Sequence, residues 1–537
     1  MEKGEIYEFT IEDMSNEGQG IGRIGADGLV VFVPGAVVGD TVRVKLTKVK
    51  RNYALSQLLE ILEESDKRNE EFDCPHQNVC GGCPYGKIQY EEQLKLKYNQ
   101  VKNKLERLGG ISFCSSGSES FCESGEAGPV LRPIIGMQES DNNNQFCYRY
   151  RNKAAMPVST GGLMTRKGGI QEPVHEPRIG FRPPKSHDVI DCTDCYLQTI
   201  PAMAAADAVR QFMEEDHICS YDKRWDKGLM KGMTVKTAFG TGEVMVILET
   251  TAKGIPNAAK LVELLDDAIY EATADENGEA YCALESVVVK YEKRNSKTGK
   301  VTGTENLVLA GKPTITDVLE LEDGRQLSFE ISPDSFYQVN PAQMRRLYGK
   351  VLEYCFQEDA KASDRETANE ESKPVILDLY CGIGTIGLCL ADKAKHVHGI
   401  EVVKEAVIDA NRNAVINGIV NATYMCGKAE ESELPEADIV ILDPPRAGCK
   451  PELLQAAVST GAERIVYVSC DPATLARDLK LLQEKGYRLV EATPVDMFPH
   501  TGHVECVCLL INKNVKPKNY IEIGVDAEDY YRIKDSE

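Results

Sequence analysis

A strand that passes through a cysteine directly into a helix is the feature that most limits how this 537-residue chain can fold. Residues 465–468 form a short apolar run, which predicts a buried strand. Ser469 to Pro472 interrupt the run, and residues 473–482 continue with helical spacing; Pro472 suits the first turn of that helix. We therefore expect Cys470 at the carboxyl end of a strand, where an open α/β sheet binds its ligands.

The helix that follows also affects the chemistry expected of Cys470. A helix N-terminus favours a thiolate over a thiol, so we expect it to lower the pKa of this cysteine. The alternative, which is usual for an isolated cysteine, is a small core residue without chemistry. The neighbouring strands decide between these two interpretations.

Four other short apolar runs predict further strands of the same sheet: residues 375–379, 396–400, 438–442 and 504–511. The first leads into a loop at residues 382–387 with the spacing Gly-x-Gly-x-x-Gly. Glu401 follows about 20 residues later in the sequence, where a carboxylate that binds a ribose is expected. An NAD-dependent oxidoreductase shares these features. It has no need, however, for Asp443-Pro-Pro at one strand end and a cysteine at the next, whereas a methyltransferase that uses an adenosyl cofactor can use both.

Glu505 is a carboxylate within the otherwise apolar run 504–511. Burial disfavours its charge and raises its pKa towards that of a useful general base; a structural acid held in an ion pair is the alternative. A cysteine, such a base and an adenosyl-cofactor loop suit the methylation of a pyrimidine at C5. The thiolate adds to C6, C5 accepts the methyl group, and the base removes the C5 proton before the sulfur leaves. The target base must be flipped out of its stack.

Three cysteines lie within ten residues of one another, with glycines between them: Cys74, Cys80 and Cys83. Eighteen cysteines in a chain without an apparent export signal favour metal or catalytic roles over disulfides. Cys195 is the best candidate for a fourth thiolate, and Cys192 is its rival. Four thiolates suit an iron–sulfur cluster or zinc, while His76 could instead complete a local zinc site.

The first part of the chain is predicted to be a small β-barrel. Residues 5–62 contain closely spaced short strands and turns. Apolar and basic residues alternate over 42–46, so one face of that strand is cationic; it is either an RNA-contacting surface or a solvated strand face. Residues 85–108 predict a helix that ends at Gly109-Gly110, and residues 161–313 predict an α+β domain.

The net charge of −22 argues against a nucleic-acid partner only if the acid is spread evenly. It is concentrated in segments: residues 60–73, 119–141, 357–372 and the tail after Val525. Residues 149–187 carry eight Lys and Arg against two acids, and binding depends on the charge of the contacting face. Within this basic stretch, residues 148–153 interleave aromatic and basic side chains, as a single-stranded nucleic-acid surface or an amphipathic strand would.

Polar segments at residues 112–128, 141–145 and 357–373 predict insertions that lie outside any packed core. The chain has no run of about 20 apolar residues that would span a membrane. Its charged first seven residues do not resemble an export signal. We therefore expect a cytoplasmic protein with no membrane partner.

Three motifs together closely resemble the signature motifs of the bacterial RNA uracil-C5 methyltransferases: residues 469–478, 442–448 and 503–505. Residues 335–340 resemble the segment that enters the cofactor domain of that family. The likeness extends over nearly the whole chain, because the barrel resembles a TRAM domain and the four cysteines match the ligands of a four-iron cluster.

This resemblance implies a multidomain protein with five segments. They are a TRAM or OB-like RNA-binding barrel at 1–62, a central α+β domain with a 4Fe-4S cluster at 63–95 and 146–330, a helix with an acidic insertion at 96–145, an α/β Rossmann-like S-adenosylmethionine-dependent methyltransferase domain at 331–513, and an acidic tail at 514–537.

The resemblance also implies roles for individual residues, with Cys470 as the nucleophile and Glu505 as the general base. The implied contacts to S-adenosylmethionine are Gln338, Tyr380, Glu401 and Asp443, and the implied cluster ligands are Cys74, Cys80, Cys83 and Cys195. Members with both a TRAM domain and a cluster typically modify large-subunit ribosomal RNA. The expected activity is therefore methylation of a uridine in 23S rRNA by a monomer that does not act on DNA. A tRNA methyltransferase and a non-catalytic RNA-binding iron–sulfur protein are the alternatives.

Overall fold

The structure is a computed structural model, and it describes these residues: 1–25, 28–77, 79–114, 128–141, 145–160, 163–165, 171–173, 176–184, 186–223, 226–296, 298–357 and 373–514. Most of the three expected polar insertions and nearly all of the acidic tail lie outside the described residues.

The N-terminal strands form one six-stranded sheet in the order β1-β5-β6-β4-β3-β2. They are β1 (Ile6–Thr10), β2 (Asp13–Met14), β3 (Gln19–Ile24), β4 (Leu29–Pro34), β5 (Thr41–Val49) and β6 (Tyr53–Glu63). The sheet curls until β1 meets β3, where a Cβ at Gly22 would lie 2.3 Å from the ring of Phe9. Glycine is therefore required at this close approach.

The alternation predicted along β5 is present, but its cationic side is partly neutralised. Val42, Val44 and Leu46 are buried. Arg43 donates to Glu8 at 2.7 Å and also pairs with Glu60. The strand therefore presents less free positive charge than its sequence suggests, and Lys45 is its exposed cation in the alternating stretch.

Helix α1 (Tyr90–Gly109) begins later than the predicted start at residue 85 and ends as predicted. Gly110 closes it with φ +65°, the left-handed conformation that favours glycine. Val101 and Leu105 on α1 share a buried core with the C-terminal domain, and the short strand β7 (Val130–Leu131) joins the sheet of that domain.

The central domain contains a seven-stranded sheet in the order β12-β11-β8-β13-β14-β15-β16 and the separate pair β9-β10. Its elements are β8 (Lys153–Thr160), β9 (Leu163–Thr165), β10 (Gln171–Pro173), β11 (Pro177–Phe181), β12 (Ile190–Asp191), α2 (Ile200–Glu215), β13 (Met230–Thr237), β14 (Glu243–Thr250), α3 (Ala258–Thr273), β15 (Ala283–Arg294) and β16 (Val301–Gly311). Val246 on β14 packs under α2 and α3. Its neighbour Ile247 belongs to the core of the C-terminal domain, because successive side chains of a strand face opposite sides.

The C-terminal domain is an α/β domain with an eight-stranded sheet in the order β21-β20-β19-β22-β23-β25-β24-β7. Its elements are β17 (Ile315–Glu320), β18 (Gln326–Ile331), α4 (Pro341–Phe356), β19 (Val375–Leu379), α5 (Thr385–Leu390), β20 (His396–Glu401), α6 (Lys404–Ile416), β21 (Ala422–Cys426), β22 (Ile439–Leu442), α7 (Pro451–Ser459), β23 (Arg464–Ser469), α8 (Pro472–Glu484), β24 (Tyr487–Val495) and β25 (Glu505–Asn512), with 3-10 turns at Ala391–Lys393 and Ala429–Glu431.

The five strands from β21 to β23 are parallel, and β25 runs antiparallel to β23 and β24. The carboxyl ends of β19, β22 and β23 therefore meet at one edge of the sheet, where such sheets bind ligands. In the described part of the chain, no helix is long and apolar enough to cross a membrane.

Candidate active site

The strand register places Cys470 opposite Glu505. Ser469, the last residue of β23, pairs with Cys506 on the antiparallel strand β25. The next residue in one direction is Cys470 and the preceding residue in the other is Glu505, so the two side chains start from facing positions. The structure thus brings together the two residues predicted to act on the substrate.

Asp443 belongs to the same group because its strand lies beside β23. Leu442 on β22 pairs with Tyr467 on β23 and with Leu379 on β19. The charges of Asp443 and Glu505 both act on the thiol of Cys470. Three predicted site residues therefore meet at the carboxyl edge of the sheet.

Glu505 has the perturbed acidity that a general base needs. It is 4% exposed, and burial raises its pKa to about 8, with a further increase from the nearby Asp443 and a smaller opposing effect of Arg446. Desolvation also raises the pKa of Asp443, to about 7. Two carboxyl groups that share a poorly hydrated site resist being charged together.

The expected lowering of the Cys470 pKa is wrong. Burial raises it to about 12, and Glu505 and Asp443 raise it further, against a weaker opposing effect of Arg446. The N-terminus of α8 gives little help because Asp471 already caps it, accepting from the backbone N–H groups of Ala473 and Thr474. A carboxylate cap neutralises the positive end of the helix next to the thiol.

A cleft beside this group fits an adenosyl cofactor. Gln338, Tyr380 and Asp443 line it together with Gly382. Gly382 has φ +55°, and a Cβ built there would have no atom within 4 Å, so the loop backbone faces open space that a ligand can approach. Tyr380 also has positive φ, +64°, a strained conformation that clusters at functional sites in non-glycine residues.

Glu401 supports the glycine loop from the next strand. Its carboxylate accepts from the backbone N–H of Gly382 at 3.2 Å and from that of Val403 at 2.9 Å. It does not line the cleft described above. The structure therefore places Glu401 against the loop, and its contact with a ribose stays a prediction.

Asp378 is a candidate site residue that the sequence analysis missed. It lies in the apolar strand β19, is 1% exposed and lines the cofactor cleft. One oxygen accepts from the backbone N–H of Gly387 at 3.1 Å, while the other has no hydrogen-bond partner among the described residues. Burial raises its pKa to about 8. An orphaned buried oxygen in the cleft is available to a polar group of the cofactor.

The segment that leads from β24 to the base on β25 is held by the N-terminal half of the chain. Lys97 on α1 donates to Asp496 at 2.5 Å, and both side chains are fully buried. Tyr150 donates its hydroxyl to the carbonyl of Pro499 at 3.0 Å. The backbone N–H of Tyr85 donates to the carbonyl oxygen of His500 at 2.9 Å. The position of Glu505 therefore depends on contacts from outside its own domain.

The predicted cysteine ligands line one cavity of about 460 Å³: Cys74, Cys80, Cys83 and Cys195, with Cys192 and His76 also in its wall. Among the described residues, no group of His, Cys, Asp or Glu is arranged to hold a metal ion. The four thiols share one cavity wall, and the identity of any metal group there stays a prediction.

Burial raises the pKa of Cys74, Cys80 and Cys83, while hydrogen bonds from the backbone act in the opposite direction on some of the thiols. Backbone N–H groups point at three of them: His76 and Gln77 at Cys74, Gly82 at Cys80, and Leu197 and Gln198 at Cys195. The rival ligand Cys192 is 3% exposed and its thiol lies 3.0 Å from the carbonyl oxygen of Asp194. Cys195 is the less buried of the pair, and the choice of Cys195 as the fourth ligand stays a prediction.

The basic and aromatic segment 148–153 is an irregular stretch that leads into β8, and its side chains are buried or half-buried. Tyr150 and Asn152 are buried, and Asn152 donates to the carbonyl of Gln338 at 2.8 Å. Arg149 donates to the carbonyl of Cys195 at 2.7 Å. Arg151 and Lys153 line the cysteine cavity.

Family comparisons agree with the two ends of this architecture. A family model described as tRNA (Uracil-5-)-methyltransferase matches residues 302–513, and a TRAM domain model matches residues 1–59. These matches confirm the predicted N-terminal barrel and the C-terminal methyltransferase domain.

Curated relatives match nearly the full length. One from Clostridium tetani, described as an uncharacterized RNA methyltransferase, is 37% identical over 525 residues, which are 96% of this chain and 99% of that protein. Another uncharacterized RNA methyltransferase, from Caldanaerobacter subterraneus, is 38% identical over 513 residues, 94% of this chain and 98% of its own.

A solved structure shares the fold across its whole length. It is the Pyrococcus abyssi tRNA (uracil-54, C5)-methyltransferase in complex with S-adenosyl-L-homocysteine, with a TM-score of 0.65 and 25% identity. The match covers 94% of this chain and 100% of that one.

Proposed function

The chain belongs to the family of RNA uracil-C5 methyltransferases, and from this premise we propose that it methylates C5 of a uridine in 23S rRNA, with Cys470 as nucleophile and Glu505 as base. The observation that carries the proposal is the register of β23 and β25, which sets these two residues opposite each other beside the cofactor cleft. We also propose that it acts as a monomer in the cytoplasm.

The proposed reaction needs a nucleophile because C5 of uracil is too weakly nucleophilic alone. The sulfur of Cys470 forms a bond to C6, which places the electron pair of the C5–C6 double bond in an enolate with carbanion character at C5. S-adenosylmethionine supplies the methyl group, carried on a sulfonium. Glu505 then takes the proton from C5, and the returning electron pair expels the sulfur of Cys470.

The high pKa of Cys470 means that its thiol proton must leave as the sulfur attacks. Glu505 and Asp443 are the carboxyl groups whose charges act on this thiol, and their raised pKa values bring them near the pH at which they can accept a proton. Asp443 can therefore accept the thiol proton in the addition, which leaves Glu505 deprotonated for the C5 proton in the elimination.

The cofactor would lie along the cleft between the glycine loop and β22. Gln338, Tyr380 and Asp443 line that cleft. Asp378 also lines it, with an oxygen that has no hydrogen-bond partner among the described residues. Glu401 holds the loop through Gly382. These groups would hold the adenosyl and amino-acid parts of the cofactor, whose sulfonium would supply the methyl group.

Mapping of 5-methyluridine tests the proposed substrate. We expect a strain that lacks this gene to lose the modification from 23S rRNA and to keep it in tRNA, and the purified protein to restore it in vitro. Loss from tRNA with unchanged 23S rRNA would contradict the ribosomal assignment and favour the second candidate, a tRNA methyltransferase. The Pyrococcus abyssi structure, which is named as a tRNA enzyme, is the observation that favours this candidate.

The raised pKa of Glu505 predicts a pH dependence of C5 proton removal. The base acts deprotonated, so its activity is present above a pKa of about 8 and falls about tenfold per pH unit below it. Release of tritium from RNA labelled at C5 of uridine measures this step. The quantity to measure is the ratio of the rate of tritium release to the rate of methyl transfer within one turnover. Attack by Cys470 precedes both steps, so its own pH dependence cancels in this ratio. A constant ratio between pH 6 and pH 9 would contradict this assignment.

We also propose that Cys74, Cys80, Cys83 and Cys195 hold a 4Fe-4S cluster. Protein purified without oxygen should then contain about four irons and four sulfides per chain. Cys83→Ser should lower both, while Cys219→Ser, a change at an exposed cysteine outside the cavity, should leave them unchanged. One zinc per chain without iron would disprove the cluster.

A further inference from the structure

The cavity that contains the predicted cluster ligands extends beyond its cysteines. Its wall also includes Lys153, Ala155, Phe181 and Val339, which come from β8, β11 and the segment before α4. Phe336, which is 64% exposed, lines both this cavity and the cofactor cleft. A chain of nucleotides that passes over Phe336 can therefore reach both sites.

Lys153 and Arg151 are two cations in this wall that no ion pair with a described residue neutralises. The neighbouring Lys290 pairs with Asp334, and Lys236 donates to two backbone carbonyls, the nearer at 2.7 Å. In contrast, neither Lys153 nor Arg151 forms an ion pair with any residue that the structure describes. Such cations are suited to phosphate groups.

Gln198 provides a polar group that lacks a partner in the same wall. It is 5% exposed, lines the cavity, and its Oε1 has no hydrogen-bond partner in the described part of the chain. Its carbonyl accepts from Arg149 at 3.2 Å, so the main chain holds the residue in place. A buried amide oxygen without a partner is costly unless a ligand donates to it.

We propose that this cavity binds a second nucleotide of the substrate RNA, one that neighbours the methylated uridine. Lys153 and Arg151 contact its phosphate, Gln198 accepts a hydrogen bond from an N–H group of its base, and the ring of Phe181 contributes an apolar wall. The inference rests on the proposed function, since it assigns a specificity subsite to the same RNA. It makes recognition depend on two flipped bases rather than one.

The test uses an RNA fragment that contains the mapped uridine, together with copies that are abasic at each neighbouring position. Lys153→Ala should raise KM about tenfold with kcat unchanged, and should reduce the slope of log(kcat/KM) against log[salt] by about one, because one phosphate contact is lost. Lys293→Ala is the matched control, since this exposed lysine pairs with Glu305 away from the cavity.

Gln198→Met keeps the side-chain volume and removes the hydrogen bond. With the wild type, one abasic position should raise KM about tenfold; with Gln198→Met, the same abasic position should add little. Three results would each overturn the inference. The first is a Lys153→Ala variant with the kinetics of Lys293→Ala, and the second is an equal effect of the abasic position on the wild type and on Gln198→Met. The third is a loss of iron from Gln198→Met. Absence of 5-methyluridine formation by the wild type would instead refute the proposed function.

Discussion

Cys470→Ala will abolish methyl transfer while RNA binding remains close to that of the wild type. Without the sulfur, C5 never gains carbanion character, and no other group in the site can replace the covalent bond to C6. Methyl incorporation from labelled cofactor into RNA measures the loss, and a filter-binding assay measures retained affinity. Cys426→Ala is the control, because Cys426 is an exposed cysteine of the same domain.

A substrate analogue tests the same bond directly. RNA with 5-fluorouridine at the target should form a stable covalent complex with the wild type when cofactor is present, because fluorine cannot leave C5 as a proton does. Cys470→Ala should form none. Undiminished methylation by Cys470→Ala, or only a dissociable complex with the fluorinated RNA, would exclude the proposed nucleophile and return a non-catalytic RNA-binding role to consideration.

Glu505→Gln will have the second largest effect, and it will act at a different step. Glutamine is nearly isosteric but cannot accept the C5 proton, so turnover should fall by about 10²–10⁴-fold. Methyl transfer within the first turnover should survive, so a covalent adduct with methylated RNA should accumulate. A denaturing gel resolves this adduct on ordinary RNA, without fluorine.

The control for this change is Glu484→Gln, a neutralisation of an exposed acid at the end of α8. It should leave turnover unchanged. If Glu505→Gln lost methyl transfer itself and formed no adduct, Glu505 would serve the addition step or the structure rather than proton removal. If turnover stayed within a few-fold of wild type, another base would be required.

The positions of the two reacting groups could be predicted because local signals determine them. A strand, an Asp-Pro break and a helix place Cys470 at a sheet edge, and a single acid in an apolar strand signals Glu505. The same signal was present at Asp378, within Val-Ile-Leu-Asp-Leu. Asp378 has no motif of its own to mark it, because the glycine fingerprint begins only at Gly382.

The acidity of Cys470 could not be predicted from the helix alone. Asp471 occupies the N-cap, and two carboxyl groups from other strands lie near the thiol. The aspartate is adjacent in sequence and could have been recognised as a cap. The approach of Asp443 and Glu505, by contrast, depends on strand order and cannot be read from one segment.

The burial of residues 148–153 likewise could not be predicted from their own segment. Their alternation of aromatic and basic side chains suits either solvent or a packed strand. Tyr150 and Asn152 are buried because their partners, the carbonyls of Pro499 and Gln338, come from distant parts of the chain. Only the assembled domains distinguish the two possibilities.

The anchoring of the segment before β25 has a consequence for how this enzyme can be divided. Removal of the N-terminal half would leave the carboxylate of Asp496 without Lys97, and it would expose the apolar core that α1 covers with Val101 and Leu105. The C-terminal domain, which contains Cys470 and Glu505, is thus expected to need α1 for its own stability. A transfer of its sheet to another protein would therefore have to include that helix.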